Sequence, residues 1–140
     1  MRRRSNRWHR DRIVGSTFSA WPPRNDAETG PLKRSSVREM HQPWRFAGLN
    51  AAMRYPNGRQ RAAVRAYAYG LSWMKDADGR VSISHGGGLP GFGSNWTIFP
   101  EYGLGIMMFD NRTYGGSEAI NLMALDTIIS MTGLTPRELP

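Results

Sequence analysis

Apolar residues recur with a period of two, in segments, from residue 66 to residue 110, and this confines that stretch of the chain to sheet structure. Tyr67, Tyr69, Leu71 and Trp73 alternate with Ala66, Ala68, Gly70 and Ser72. Successive side chains of a strand point to opposite faces, so the spacing predicts one strand over 66–73 with a bulky face and a small face. Asp76-Ala77-Asp78-Gly79 predicts a tight turn. Val81 and Ile83 alternate with Ser82 and Ser84, which predicts a second strand ending at His85. Residues 95–99 and 104–110 read as a further strand pair around Pro100-Glu101-Tyr102-Gly103. Leu104, Ile106, Met107, Met108 and Phe109 make the last strand apolar on both faces, which predicts a central position or cover on both sides.

A helical pattern follows over 118–132, with Ser117 suited to the N-cap and Gly133 to the C-cap. Ile120, Met123, Ala124 and Ile128 line one face, and Leu122, Leu125 and Ile129 form a second apolar row. So wide an apolar arc expects neighbours on more than one side, and the strands supply only one. Upstream, Ser36 and Glu39 have capping-box spacing and predict a short helix that stops near Pro43. Residues 45–65 favour neither helix nor strand, apart from a turn at Tyr55-Pro56-Asn57-Gly58. The fold class expected is α+β: an antiparallel sheet of about four strands with a C-terminal helix packed on it.

A chain of 140 residues, 39% hydrophobic and with 15 aromatic side chains, suits one domain with a modest core. No run of about 18 apolar residues is present, which excludes a membrane-spanning helix. Cysteine is absent, so disulfides, thiolate zinc sites and a thiol nucleophile are excluded. No cofactor or metal motif is found. The net charge of +8 is uneven. Arg2, Arg3, Arg4, Arg7, Arg10 and Arg12 stand against Asp11 alone in residues 1–12, leaving 13 basic and 10 acidic side chains over the other 128 residues. Residues 1–20 therefore read as a basic disordered arm. A non-catalytic binding module or truncated gene remnant that touches nucleic-acid phosphates through this arm is the alternative reading, but nucleic acid is not the partner expected, because no interleaving of basic and aromatic residues continues into the body. The arm also lacks the apolar run of a signal peptide.

The segment richest in chemical implication is His85-Gly86-Gly87-Gly88-Leu89-Pro90-Gly91-Phe92. Consecutive glycines let backbone approach a ligand closely and expose N–H groups that can hold an oxyanion. A lipase-type oxyanion loop needs a Gly-x-Ser-x-Gly elbow downstream, and Gly115-Gly116-Ser117-Glu118-Ala119 ends in the wrong residue, with no later histidine. Neither phosphate-loop pattern occurs. Three segments stand in order: Tyr69-Gly70-Leu71-Ser72-Trp73, then Ser84-His85-Gly86-Gly87-Gly88-Leu89-Pro90-Gly91-Phe92-Gly93-Ser94, then Phe99-Pro100-Glu101-Tyr102-Gly103-Leu104-Gly105-Ile106. Together they resemble the beta-lactamase-related serine hydrolases, a family of class C beta-lactamases, D-alanyl-D-alanine carboxypeptidases and esterases. Trp21-Pro22-Pro23-Arg24-Asn25-Asp26 and Ser35-Ser36-Val37-Arg38-Glu39-Met40 look like the family segment that precedes them.

The resemblance implies a partial transpeptidase-like fold and acyl-enzyme hydrolysis of a beta-lactam, a D-amino-acid peptide or an ester. It implies that His85 is the basic residue of the family's third motif, with Gly87 allowing close packing and Gly88 offering an oxyanion N–H. Gly86 stands at the substrate-binding position where the family usually has Ser or Thr. Many relatives are exported, although no export signal is read here. The family's nucleophile is the serine of a helical Ser-x-x-Lys, completed by a Tyr-x-Asn. Both strings occur by letter, as Ser72-Trp73-Met74-Lys75 and Tyr55-Pro56-Asn57. Residues three apart on a strand point to opposite faces, so Ser72 and Lys75 cannot share a proton there. Tyr55-Pro56-Asn57 lies in a turn and follows the segment that the family's motif precedes. Residues 21–140 are therefore expected to be the C-terminal portion of a longer hydrolase domain, weak or inactive alone. Its partner would be a complementary N-terminal half.

Overall fold

The computed structural model describes residues 32–137, and the basic arm and residues 21–26 lie outside them. A short helix, α1 (Arg34–Met40), leads into six strands: β1 (Arg45–Arg54), β2 (Gln60–Tyr67), β3 (Ser72–Asp76), β4 (Val81–Leu89), β5 (Phe92–Phe99) and β6 (Leu104–Asp110). A 3-10 turn (Pro100–Tyr102) separates β5 from β6, and a long helix, α2 (Ser117–Thr132), closes the chain. The strands form one antiparallel meander in chain order, with α2 on one face over β5 and β6. The α+β class is as expected, but the sheet formed by the described residues has six strands rather than about four. No helix among the described residues is long and apolar enough to cross a membrane.

The additional strands come from two places. Residues 45–65 form a hairpin around the expected turn, where the Gly58 N–H donates to the Tyr55 carbonyl at 2.9 Å. The strand expected over 66–73 is interrupted: Ala66 and Trp73 face each other across the β2–β3 ladder, as do Tyr67 and Ser72. Gly70 takes φ +70° in the connecting loop, closed by the Ala68 N–H on the Leu71 carbonyl. The reversal moves the bulky row from one face to the other, because Tyr67 opposes Ser72 and Trp73 opposes Ala66, although the residue types alternate without a break through the loop. β4 also runs on through the glycine run to Leu89, beyond the end expected at His85.

Both helix starts differ from expectation. α1 begins two residues before Ser36 with Lys33 at the N-cap in extended conformation, so Ser36 is already helical and cannot form a capping box. At α2 the N-cap is Gly116, left-handed at φ +80°, and the Ser117 hydroxyl donates to Asp110 instead. The left-handed Gly133 ends α2 as expected.

The sheet buries apolar side chains on both faces, to different degrees. Under α2, Met53, Tyr55, Ala63, Met74, Phe99, Leu122 and Leu125 form one cluster. On the other face, Leu71, Ile83 and Ile98 form a smaller one with Trp73, Val81 and Trp96 around it. Among the described residues β6 is an edge strand, against the expectation of a central or doubly covered one. Leu104 and Ile106 pack under α2, whereas Met107 is 51% exposed and Phe109 75%. Phe46 and Leu49 at the opposite end of the sheet are similarly open. The apolar pattern of β6 signals two buried faces, but the described residues cover only one of them.

At the β3–β4 turn, the buried Arg61 guanidinium lies 2.9 Å from the Asp76 carboxylate, which also accepts the Asp78 and Arg80 N–H groups. Arg80 bridges Asp78 and Asp126, tying this turn to α2. Burial pushes the Asp76 and Asp126 carboxyls above their ordinary value, against the opposing pull of Arg61.

Candidate active-site edge

The glycine strand is exposed along one edge because neighbouring strands differ in length. β3 pairs with β4 only from Lys75↔Val81 to Ser72↔Ser84, whereas β5 pairs with β4 as far as Leu89↔Phe92. From His85 to Leu89, no strand among the described residues occupies the side of β4 away from β5. In an antiparallel ladder alternate residues direct N–H and C=O groups away from the paired strand. That edge is therefore a short row of backbone donors and acceptors unpaired by sheet. An extended acyl or peptide group can add to it as a further strand would.

A side chain at any of the three glycines would meet close neighbours. A side chain on Gly86 would begin 3.2 Å from the Ser94 carbonyl oxygen and 3.3 Å from Asn95 Nδ2. On Gly87 it would meet Ser94 Oγ at 3.1 Å, and on Gly88 the Tyr114 ring at 2.9 Å. His85 is exposed beside this run, with its Nε2 3.4 Å from the Tyr67 hydroxyl. The four residues singled out from sequence thus lie consecutively on one strand, three of them closely backed by neighbours.

Those neighbours were not legible beforehand. Asn121, fully buried on α2, donates to the Asn95 carbonyl at 3.0 Å and to its side-chain Oδ1 at 2.9 Å. Thr97 Oγ1 donates to the same Oδ1 at 2.8 Å. This buried cluster joins α2 to β5 beside Gly86. Asp110 lies between Gly93 and Gly115, where its Oδ2 accepts the Ser117 hydroxyl at 2.6 Å and its Oδ1 the Arg112 N–H at 3.0 Å. Its carboxylate thereby sits by the first turn of α2, where the helix dipole favours negative charge. Thr113 and Tyr114 reach β4 from the same connection. They carry no sequence signal beyond polarity and a neighbouring Gly-Gly.

The strings that spell the family's other motifs do not converge here. Ser72 opens β3 opposite Ser84, and Lys75 lies three residues on, opposite Val81 and exposed. Three residues of strand span about 10 Å, and the two side chains leave opposite faces. Tyr55 is buried in the α2-side cluster, and Asn57 Oδ1 accepts the Arg59 N–H within the turn. Burial raises the Tyr55 pKa, away from what a proton acceptor near neutrality needs. Among the described residues no group of three or more His, Asp or Glu side chains is placed to hold a metal.

A family model described as Beta-lactamase matches residues 24–127, well over half of the chain. No curated protein and no solved structure gave a match.

Proposed function

Because this chain belongs to the beta-lactamase family, we propose that it forms one wall of an acyl-transfer site in a beta-lactamase-related serine hydrolase. In this scheme β4 is the strand along which substrate lies. Gly88 supplies a backbone N–H to the developing oxyanion, Gly87 permits the close approach, and His85 is the basic residue at the substrate edge. Gly86, where relatives carry a hydroxyl, leaves substrate anchoring to backbone alone. The substrates expected are a beta-lactam, a D-amino-acid peptide or an ester.

One observation carries this reading: β4 outruns its pairing with β3 by five residues, and the overhang is His-Gly-Gly-Gly-Leu, the glycine segment itself. Acyl-enzyme chemistry also needs a hydroxyl activated by a base. Ser72 and Lys75 leave opposite faces of β3, and in this scheme the nucleophile comes from polypeptide outside residues 32–137. The open sheet face supports the same scheme, since Phe46, Leu49, Met107 and Phe109 are apolar and exposed. An exposed apolar surface of this kind commonly marks an interaction site, and a complementary N-terminal half is the occupant proposed.

Titration with N-acetyl-D-alanyl-D-alanine, followed through backbone amide resonances, tests the substrate edge. Shifts concentrated in residues 85–89 are expected. Shifts spread over the surface, or none at millimolar peptide, overturn it. Nitrocefin turnover tests the missing nucleophile. The chain alone should not exceed buffer, and turnover abolished by Ser72→Ala would refute the exclusion of Ser72.

A further inference from the structure

Three consecutive glycines make a poor strand. They carry no side chains to pack, and each loses more backbone freedom on ordering than any other residue. Here the run is also unpaired on one edge. An oxyanion donor is effective only when held before the substrate arrives, so something other than the ladder must hold it.

The connection between β6 and α2 supplies two such contacts. Thr113 Oγ1 accepts the Gly91 N–H at 2.8 Å and donates to the Leu89 carbonyl at 3.1 Å, so one hydroxyl spans the β4–β5 turn. Next to it, the Tyr114 ring lies against Gly88, within 3.2 Å of where a Cβ would stand. Among the described residues Tyr114 is the only non-glycine with positive φ, at +52°, and it is 80% exposed. An exposed aromatic in a left-handed conformation is unfavourable by itself and persists where its surroundings hold it. Asp110, fixed between Gly93 and Gly115 by Ser117 and Arg112, anchors the start of this connection.

We infer that Thr113 is a positioning residue for the glycine strand, acting with Tyr114 as a clamp that holds the Gly88 amide in place. The inference rests on the reading of β4 as the substrate edge, and extends it to residues that touch no substrate. The clamp makes the β6–α2 connection, rather than the sheet alone, responsible for order at the oxyanion donor.

Backbone 15N relaxation on the full chain tests this without ligand. Order parameters near about 0.85 are expected at Gly87 and Gly88, as for rigid backbone, falling below about 0.6 in Thr113→Val. Ile83 and Ile98, in the same two strands but away from the turn, should not change. Thr113→Ser, which keeps the hydroxyl, should restore the rigid values. Tyr114→Gly, which accommodates the positive φ without the ring, should loosen Gly88 even though local strain is relieved. Unchanged order at Gly87 and Gly88 in Thr113→Val overturns the inference. So does loosening that extends equally to Ile83 and Ile98, since Thr113 would then serve general stability only. Failure here leaves the peptide titration unaffected, and failure of that titration leaves these order parameters unaffected.

Discussion

Gly88 and Gly93 face each other across the β4–β5 ladder, so replacing each in turn by alanine adds the same methyl group to one register pair. The surroundings make the outcomes differ. At Gly93 the new carbon would stand 2.6 Å from Asp110 Oδ1 and 2.7 Å from the Arg112 carbonyl oxygen. Neither yields easily: the carbonyl is backbone, and the carboxylate is held by Ser117 and Arg112. Overpacking of this kind costs about 1–3 kcal/mol, and disturbing two hydrogen bonds places Gly93→Ala in the upper half, at about 2–3 kcal/mol. With an unfolding entropy of about 2.1 cal/mol/K per residue over roughly 100 residues, 2 kcal/mol lowers Tm by about 10 °C. At Gly88 the obstacle is the Tyr114 ring, which is mostly exposed and can swing aside. Removing glycine from a strand recovers about 0.5–1 kcal/mol. Gly88→Ala should therefore stay within about 1 kcal/mol of the parent, or about 5 °C. Circular-dichroism melts of the two variants beside the parent read the difference. Equal shifts, or a larger loss at Gly88, would refute the steric reasoning and the placement of Asp110 on which it depends.

Asn121→Leu should cost about 2–3 kcal/mol in denaturant unfolding, because it removes the donor to both Asn95 oxygens inside the core. Arg61→Met should cost about 3–5 kcal/mol, since it strips the buried Asp76 carboxylate of its nearest cation. Adding Asp76→Asn should recover part of that loss, which a double-mutant cycle measures. Burial raises the Asp76 and Asp126 pKa values in the folded state, so their linkage contribution to stability is fully present below their ordinary value of 3.8 and is lost as pH rises through the raised values. Asp126→Asn should consequently flatten the Tm–pH profile immediately above pH 3.8, and an unaltered slope would contradict the burial of this carboxyl. Replacing Met107 and Phe109 together by threonine should reduce light scattering of concentrated protein while shifting stability by no more than about 1 kcal/mol, because both side chains project from an uncovered face.

Local spacing was informative where the physics is local. Turns at residues 55–58 and 76–79, the strand that starts at Val81 after the second, and the closure of α2 at Gly133 follow from residue types within a few positions of one another. The family was legible too, because its motif is contiguous and sits between recognisable strands. Boundaries were less so. The period of two passed through the loop at Gly70, and the capping-box letters at Ser36 and Glu39 fell inside a helix that had already begun.

What the chain's order of residues settled by itself was therefore a β-rich body, a terminal helix apolar over a wide arc, and a glycine run placed between strands. Tertiary structure alone decided that β6 lies at an edge, that β3 stops short of the glycines, and that Tyr114 and Thr113 meet β4. It also brought Asn121 to Asn95 and Asp110 between two glycines. Side-chain alternation reports which face a residue occupies, but not how many neighbours its strand has or where an adjacent strand ends. Those depend on contacts between residues about 20 to 30 positions apart, such as Asn95 with Asn121 and Gly91 with Thr113, which no local period encodes.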